Sequence, residues 1–223
     1  MNFFHNNMSC TSMSIDEILQ AWTRMALNNA YSWWQDILPE DIVVDIGSGA
    51  GWFACQALDR GADKVYIIEP NPAALYDIEK NTEGAGDRVV IVPYAIGSNT
   101  CFENQMTWMD FVKDYGIDRV DYLKAHTGND DTTKEIFLHQ DVEWFRWNVR
   151  HLTFIAYLKL ENIEQFIRWR HTFLGRFSMD NIDKIHLYDG SQGGYLWDDR
   201  RLRSGKWNNS NQGDVVTIYI TNW

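Results

Sequence analysis

The stretch Ile42-Val43-Val44-Asp45-Ile46-Gly47-Ser48-Gly49-Ala50-Gly51-Trp52-Phe53 decides the fold of this chain. An apolar run ends in an acidic residue and turns through three glycines into a segment that has the pattern of a helix. A second apolar run, Val65–Ile68, follows and ends in Glu69. Strand, glycine-rich turn, helix and strand in this order predict a βαβ unit, which binds nucleotides at the carboxyl ends of its strands.

The spacing of the glycines favours S-adenosylmethionine over NAD as the ligand of this turn. A dinucleotide fingerprint reads G-x-G-x-x-G, and the place of its third glycine is taken by Trp52. The pattern here is D-x-G-x-G-x-G, which begins at Asp45. We expect Glu69 to bind the ribose hydroxyls and Asp45 to contribute to the environment of the methionine ammonium. An NAD or flavin site and a turn that binds nothing stay open as alternatives.

Composition and charge restrict the class of protein. A chain of 223 residues predicts a single α/β domain, and the net charge of −11 argues against a nucleic-acid backbone as the main partner. Scattered Cys10, Cys55 and Cys101 predict free thiols in a reducing compartment, and no metal-ligand spacing is present. The start of the chain lacks a signal-peptide pattern, and no apolar run could span a bilayer. We therefore expect a cytoplasmic protein with no membrane partner and no metal.

The pattern of apolar residues predicts alternating strands and helices. We expect a flexible N-terminus over residues 1–13 and a helix over 14–34 that starts at a capping box of Ser14 and Glu17. Strands are predicted at 42–46, 64–69, 88–93, 120–124, 152–158, 182–188 and 215–220, and helices at 52–60, 72–84, 108–115, 134–147 and 161–173.

The connections between these elements predict the topology of the sheet. Alternation of strands and helices up to the fifth strand indicates parallel pairing with helices on both faces. The last two strands are joined by a loop without a clear helix, so the final strand should be antiparallel. The expected fold is an α/β, Rossmann-like, doubly wound and mostly parallel seven-stranded sheet with an antiparallel last strand.

Four further segments carry a resemblance to a known family. They are Glu69-Pro70-Asn71-Pro72, Val92-Pro93-Tyr94-Ala95-Ile96-Gly97, Thr107-Trp108-Met109-Asp110-Phe111 and Ile117-Asp118-Arg119-Val120-Asp121-Tyr122-Leu123-Lys124. With the glycine turn, they make residues 40–131 similar to the FkbM family of O-methyltransferases, within the class I S-adenosylmethionine-dependent methyltransferases. The resemblance implies methyl transfer to a hydroxyl of a small molecule or a saccharide.

The same resemblance implies the organisation of the chain and its cofactor site. It places one methyltransferase-like domain at 14–223, with an N-terminal helix at 14–40, a cofactor-binding half at 41–131 and a substrate-side half at 132–223. The residues expected to bind S-adenosylmethionine are Asp45, Gly47, Ser48, Gly49, Gly51, Trp52, Phe53, Glu69, Pro70, Asn71, Tyr94 and Ala95.

The chain departs from the family pattern after the fourth strand. Relatives continue as K-x-D-x-E-G-x-E, whereas this chain reads Lys124-Ala125-His126-Thr127-Gly128-Asn129-Asp130-Asp131. Lys124 is retained, His126 takes the Asp place and Asp131 takes the last Glu place, so these three are the expected catalytic residues. An imidazole titrates near neutral pH, so His126 could act as a general base. A local strand-end role for His126, and a binding or structural protein that has lost catalysis, stay open.

Overall fold

The computed structural model describes residue 3, residues 8–16 and 18, and residues 36–97, 104–127, 142–158, 185–189, 195–196 and 214–221. Within these ranges the strands are β1 Ile42–Ile46, β2 Lys64–Ile68, β3 Val89–Val92, β4 Ala95–Ile96, β5 Gln105–Met106, β6 Val120–Ala125, β7 Val149–Leu158, β8 Ile185–Asp189, β9 Tyr195–Leu196 and β10 Asp214–Thr221. The helices are α1 Trp52–Asp59, α2 Pro72–Asn81, α3 Trp108–Asp114 and α4 Val142–Asn148, with a 3-10 turn at Gly86–Arg88.

The large sheet has the predicted Rossmann-like topology. Its strand order is β3-β2-β1-β6-β7-β10-β8-β9, and β4 and β5 form a separate parallel pair. Strands β1, β2, β3, β6 and β7 pair in parallel, whereas β10 is antiparallel to both β7 and β8. The fold class is confirmed, including the antiparallel last strand. Strand β9 adds an eighth member, antiparallel to β8, that the seven-strand prediction did not contain.

Several predicted boundaries shift by a few residues. The fifth strand, β7, starts at Val149 rather than 152 because α4 ends directly before it at Asn148. Helix α2 ends at Asn81, three residues earlier than predicted. The N-terminal helix is described only at Ile15, Asp16 and Ile18, and the helix predicted at 161–173 lies outside the described residues.

Alternate residues of the central strands fill two cores, one on each face of the sheet. Val44 and Ile46 face the core that contains Trp108 and Phe145, whose rings stack at a centroid distance of 4.8 Å. Val43 faces the other core. Central parallel strands are buried on both faces, which explains why they read as continuous apolar runs without polar alternation.

An ion pair and a hydrogen bond hold the amino edge of the sheet, which is the edge opposite the glycine turn. Arg150, at the start of β7, donates to both carboxylate oxygens of Asp41 at 2.8 Å. Asp121, near the start of β6, accepts from the backbone N–H of Ile42 at 2.9 Å. These contacts join the beginnings of β1, β6 and β7, and so they have a structural role.

The N-terminal segment, for which the sequence predicts flexibility over residues 1–13, makes specific contacts in the part that the structure describes. Ser9, Thr11 and Ser12 donate hydrogen bonds to the carboxylate of Asp77 on α2. Met8 is buried in the same core as α1 and α2. A polar, Asn-rich segment suggested fraying, but its short hydroxyl side chains have a buried carboxylate as their partner.

One prediction concerns the pH dependence of folding. Burial, and then the charge of Arg150, lower the pKa of His151 from 6.5 to about 4, against an opposing effect of Asp121. The unfolded chain therefore binds a proton at His151 more readily than the folded chain as the pH falls from about 6.5 towards 4. We expect the free energy of unfolding in urea to be smaller at about pH 5 than at pH 7, and this difference to shrink in His151→Gln. An equal pH difference in both proteins would assign it to other groups.

Candidate functional site

The glycine turn, residues 47–51, lies between the carboxyl ends of β2 and β6. The N–H of Gly47 donates to the carbonyl of Ile68 at 2.9 Å, and the N–H of His126 donates to the carbonyl of Ile46 at 2.9 Å. Both bonds extend the parallel ladders past the ends of the strands. The turn is therefore fixed to β2 on one side and to the chain that leaves β6 on the other.

Two glycines of this turn have different physical reasons to be glycine. Gly47 has φ +69°, and a Cβ built there would lie 2.1 Å from the carbonyl oxygen of His126, so only a hydrogen fits between the two segments. Gly49 has φ +57°, yet nothing lies within 4 Å of where its Cβ would be. The first glycine permits close packing of the protein on itself. The second leaves an open face of the backbone that a ligand can approach.

Glu69 stands beside this open face with its carboxylate oriented by the backbone. One oxygen accepts from the N–H of Gly49 at 2.9 Å, and the other accepts from the N–H of Asn71 at 3.0 Å. The side chain is 8% exposed, so it is held at the rim of the site. A carboxylate has about four lone-pair positions, and two backbone donors leave capacity to accept from two hydroxyl groups.

Lys124 and Asp45 form a buried ion pair under the turn. The Lys124 ammonium donates to Asp45 Oδ1 at 2.7 Å and to the carbonyl of Gly47 at 2.8 Å, and the two side chains are 3% and 0% exposed. The second Asp45 oxygen accepts from the Ser48 hydroxyl at 2.6 Å. These contacts direct Asp45, Ser48 and Lys124 at one another. They support the turn from beneath, and the cation that neutralises the Asp45 carboxylate is the Lys124 ammonium.

The other expected catalytic residues are placed only in part. His126 follows the last residue of β6, is partly buried, and its backbone touches the turn at Gly47. Asp131 lies outside the described residues. The structure thus brings His126 and Lys124 to the same edge of the sheet as Glu69, which is the edge that the sequence predicted.

The remaining expected cofactor residues divide into core and surface. Phe53 is 2% exposed and its ring lies 5.6 Å from that of Tyr122, while Trp52 is 6% exposed. These two side chains pack in the core, so contact with a ligand would come through the start of α1 around Gly51. Pro70 and Asn71 are exposed at the start of α2, where the Asn71 side chain caps the helix by accepting from the N–H of Ala73.

Tyr94 and Ala95 follow β3 at the outer side of the site. Tyr94 is 39% exposed. Its side chain lines a cavity of about 500 Å³ together with Met106, Asp110, Asp114 and Tyr115. Ala95 belongs to the short strand β4, where its N–H donates to the carbonyl of Asn104 at 2.8 Å.

Asn81 is a residue at this site that sequence reasoning missed. Its side-chain amide donates to the carbonyl of Ala50, inside the glycine turn, at 2.8 Å. An asparagine at the end of an amphipathic helix carries no signal for such a contact, because the two positions are 31 residues apart.

Within the described residues, no group of three His, Cys, Asp or Glu side chains is arranged to hold a metal ion. A search of those residues likewise finds no helix suited to crossing a membrane.

Comparison with known sequences gives one family match over part of the chain. A family model described as conserved hypothetical protein 95 matches residues 23–105, which is less than half of the chain. No curated protein matches the sequence.

Solved structures share the fold at low sequence identity. The METTL16 MTase domain is 13% identical with a TM-score of 0.52, over 94% of this chain and 68% of that one. Fibrillarin of Aeropyrum pernix, in complex with natively bound S-adenosyl-L-methionine, is 15% identical with a TM-score of 0.50, over 89% and 74%. An rRNA methylase of Streptococcus thermophilus is 15% identical with a TM-score of 0.46, over 84% and 90%. The first two matches establish a methyltransferase-type Rossmann-like fold for this chain.

The buried ion pair yields a prediction about stability. Lys124→Met removes the cation and leaves the Asp45 carboxylate buried, with Ser48 as its remaining side-chain donor among the described residues. We therefore expect the free energy of unfolding to fall by about 3–5 kcal/mol. Lys113→Met, at an exposed position on α3, is the control and should change it by less than about 0.5 kcal/mol. Adding Asp45→Asn to Lys124→Met should recover part of the loss in urea unfolding. A Lys124→Met protein as stable as the control would show that this pair does not hold the turn.

Proposed function

We propose that this chain is an S-adenosylmethionine-dependent methyltransferase whose nucleoside site is formed by the glycine turn and Glu69. The observation that carries the proposal is the Glu69 carboxylate, held by the N–H groups of Gly49 and Asn71 beside a stretch of backbone with open space in front of it. Ribose hydroxyls need paired acceptors at the end of the second strand, and this carboxylate supplies them. The fold shared with fibrillarin in complex with S-adenosyl-L-methionine supports the same ligand.

The structure also supports this ligand over NAD. The third glycine of a dinucleotide fingerprint permits close packing between helix and strand. Its place is taken by Trp52, whose large side chain is buried at the first position of α1. The carboxylate of Asp45, which the sequence associates with the methionine ammonium, lies directly below the turn. We infer that Asp45 acts on that end of the ligand through the carbonyls and hydroxyl of the turn that it orients.

The proposed reaction needs positioning and one proton transfer. S-adenosylmethionine would supply a methyl group on a sulfonium sulfur; an acceptor oxygen forms the new C–O bond as the C–S bond breaks. The hydroxyl proton passes to a base, and we assign this role to the imidazole of His126 at the end of β6. Lys124 is assigned to holding the turn, because its ammonium is engaged by Asp45 and Gly47.

The acceptor is the finer part of the proposal. We propose a hydroxyl of a small molecule or saccharide, supported by the FkbM-like segments between residues 40 and 131 and by the net charge of −11, which disfavours a polyphosphate partner. The matching family model is a different one, so the FkbM-like assignment rests on the sequence segments. The cytoplasm stays the proposed compartment, from the free thiols of Cys10 and Cys55.

A panel of acceptors tests this part directly. Transfer of a labelled methyl group to hydroxylated small molecules and saccharides is the expected outcome. Transfer to RNA instead would correct the acceptor class while leaving the cofactor assignment intact. Binding of the cofactor without transfer to any member of the panel would favour the alternative of a methyltransferase fold that binds but does not catalyse.

Calorimetry tests the cofactor assignment. We expect S-adenosylmethionine and S-adenosylhomocysteine to bind with dissociation constants from low micromolar to submillimolar, roughly −5 to −8 kcal/mol, and NAD not to bind. Gly49→Ala should weaken binding about tenfold or more, because its Cβ enters the open space before the turn. Gly86→Ala is the matched control: Gly86 has φ +62° and open space too, but follows α2 away from the site. Clear heat for NAD and none for the other ligands would overturn the assignment.

A second prediction concerns His126. If its imidazole removes the acceptor proton, His126→Ala lowers turnover by about 10²–10⁴-fold and leaves cofactor affinity nearly unchanged. The pH–rate profile of the variant should also lose the limb that reports deprotonation of the general base. These measurements use whichever acceptor the panel identifies. Full turnover in the variant would reduce His126 to a strand-end residue whose backbone packs on Gly47.

A further inference from the structure

Helix α2 touches both the glycine turn and a segment near the start of the chain. We call residues 8–12 the N-terminal strap. Asn81, on the last turn of α2, accepts from the N–H of Ser9 at 2.6 Å and donates to the carbonyl of Ser9 at 2.8 Å. The same side-chain amide donates to the carbonyl of Ala50 in the turn at 2.8 Å. One amide therefore joins the strap to the turn.

A second residue of α2 secures the strap independently. Asp77 is fully buried, and its carboxylate accepts five hydrogen bonds, from the Ser9 hydroxyl and from the N–H and hydroxyl groups of Thr11 and Ser12. Burial alone raises the pKa of Asp77, but the bonds from Ser12 and Ser9 outweigh it, and its pKa lies well below the usual range. The carboxylate is thus charged wherever the protein is folded near neutral pH, and the strap is its main source of donors.

The strap and the turn also share apolar packing. Met8 and Trp52 are buried in one core with Ile78 of α2, and Cys10 packs against it. Gly51, the last glycine of the turn, faces Ile78, since a Cβ there would lie 3.3 Å from the Ile78 side chain. Ile78 and Asn81 of α2 therefore support the turn from behind, on the side away from its open face, while Asp77 binds the strap.

We propose that Asn81 is a positioning residue for the glycine turn, and that the N-terminal strap holds the Asn81 amide in the orientation that binds Ala50. Ala50 is 1% exposed, so its carbonyl has no access to water if Asn81 turns away. Two bonds to the backbone N–H and carbonyl of Ser9 fix the plane of the Asn81 amide and direct its remaining N–H at Ala50. Releasing the strap should therefore loosen the turn although no strap residue contacts the ligand face.

Hydrogen exchange of the ligand-free protein tests this coupling without relying on the proposed function. Asp77→Asn keeps the Asn81 side chain but weakens the strap anchor. We expect faster deuterium uptake in residues 8–12 and also in residues 49–55. Asn81→Ala should speed uptake in residues 49–55 at least as much. Asn148→Ala controls for general destabilisation, since it loses a hydrogen bond of 2.9 Å to the Trp144 carbonyl on α4. It should leave deuterium uptake in residues 49–55 unchanged.

Affinity for S-adenosylhomocysteine, measured by calorimetry, provides the second readout and rests on the proposed function. We expect its dissociation constant to rise about tenfold in Asn81→Ala and by a smaller factor in Asp77→Asn, with no change in Asn148→Ala. If Asn81→Ala does not fold, Ser9→Pro is used in its place. The proline removes the N–H from which Asn81 accepts a hydrogen bond and leaves α2 intact. A strap that is released while uptake in residues 49–55 stays unchanged would overturn the proposal. No binding to the unmodified protein would count against the cofactor alone.

Discussion

The Lys124 ammonium and the Asp45 carboxylate meet at 2.7 Å in the interior, between neighbouring strands β6 and β1. A buried charge is costly unless it has an opposite charge and hydrogen bonds, so this pair restricts everything around it. Lys124 also donates a hydrogen bond to the Gly47 carbonyl, and Asp45 accepts one from the Ser48 hydroxyl. The direction in which the chain leaves β1 is thereby set, and the open face at Gly49 follows from it.

The candidate site is consequently built from backbone groups whose positions are fixed in layers. The ion pair lies beneath the turn. Glu69 accepts from the N–H of Gly49 on one side of the turn, and Asn81 donates to the carbonyl of Ala50 from behind it. Ligand contacts made by a backbone that cannot relax lose little conformational freedom on binding, which is a general advantage of pre-organised sites. Glu69 contributes its carboxylate at the rim, and His126 follows β6 at the same edge of the sheet.

The strands and helices around the glycine turn were predicted well from the sequence because the signals for them are local. Central parallel strands give uninterrupted apolar runs, Pro72 after Asn71 marks the start of α2, and the glycines mark the turn. The contacts that organise the site were not predictable in this way. Asp45 and Lys124 are 79 residues apart, and Asp77 binds hydroxyls 65 to 68 positions earlier.

Residue type alone does not identify the partner that a side chain finds in the fold. The sequence predicts a catalytic role for Lys124 and a flexible segment before Ser14, and neither prediction includes the contacts that these residues make. Nothing in a linear pattern shows that a lysine faces an aspartate on the next strand. Nor does it show that a polar segment finds a buried carboxylate, since both depend on how the sheet and α2 are assembled.

The position of β10 in the sheet has a consequence for the order in which the molecule can assemble. Strands β1, β2, β3, β6 and β7 pair directly with one another, so the part that carries the glycine turn can form from residues up to Leu158. Strands β8 and β9 join the sheet only through β10, which lies between β7 and β8 although it comes last in the chain. During synthesis, β8 and β9 can pair with each other but cannot join the large sheet until β10 emerges. Such non-local pairing closes late and slowly, and meanwhile the exposed edge of β7 is open to pairing with other chains.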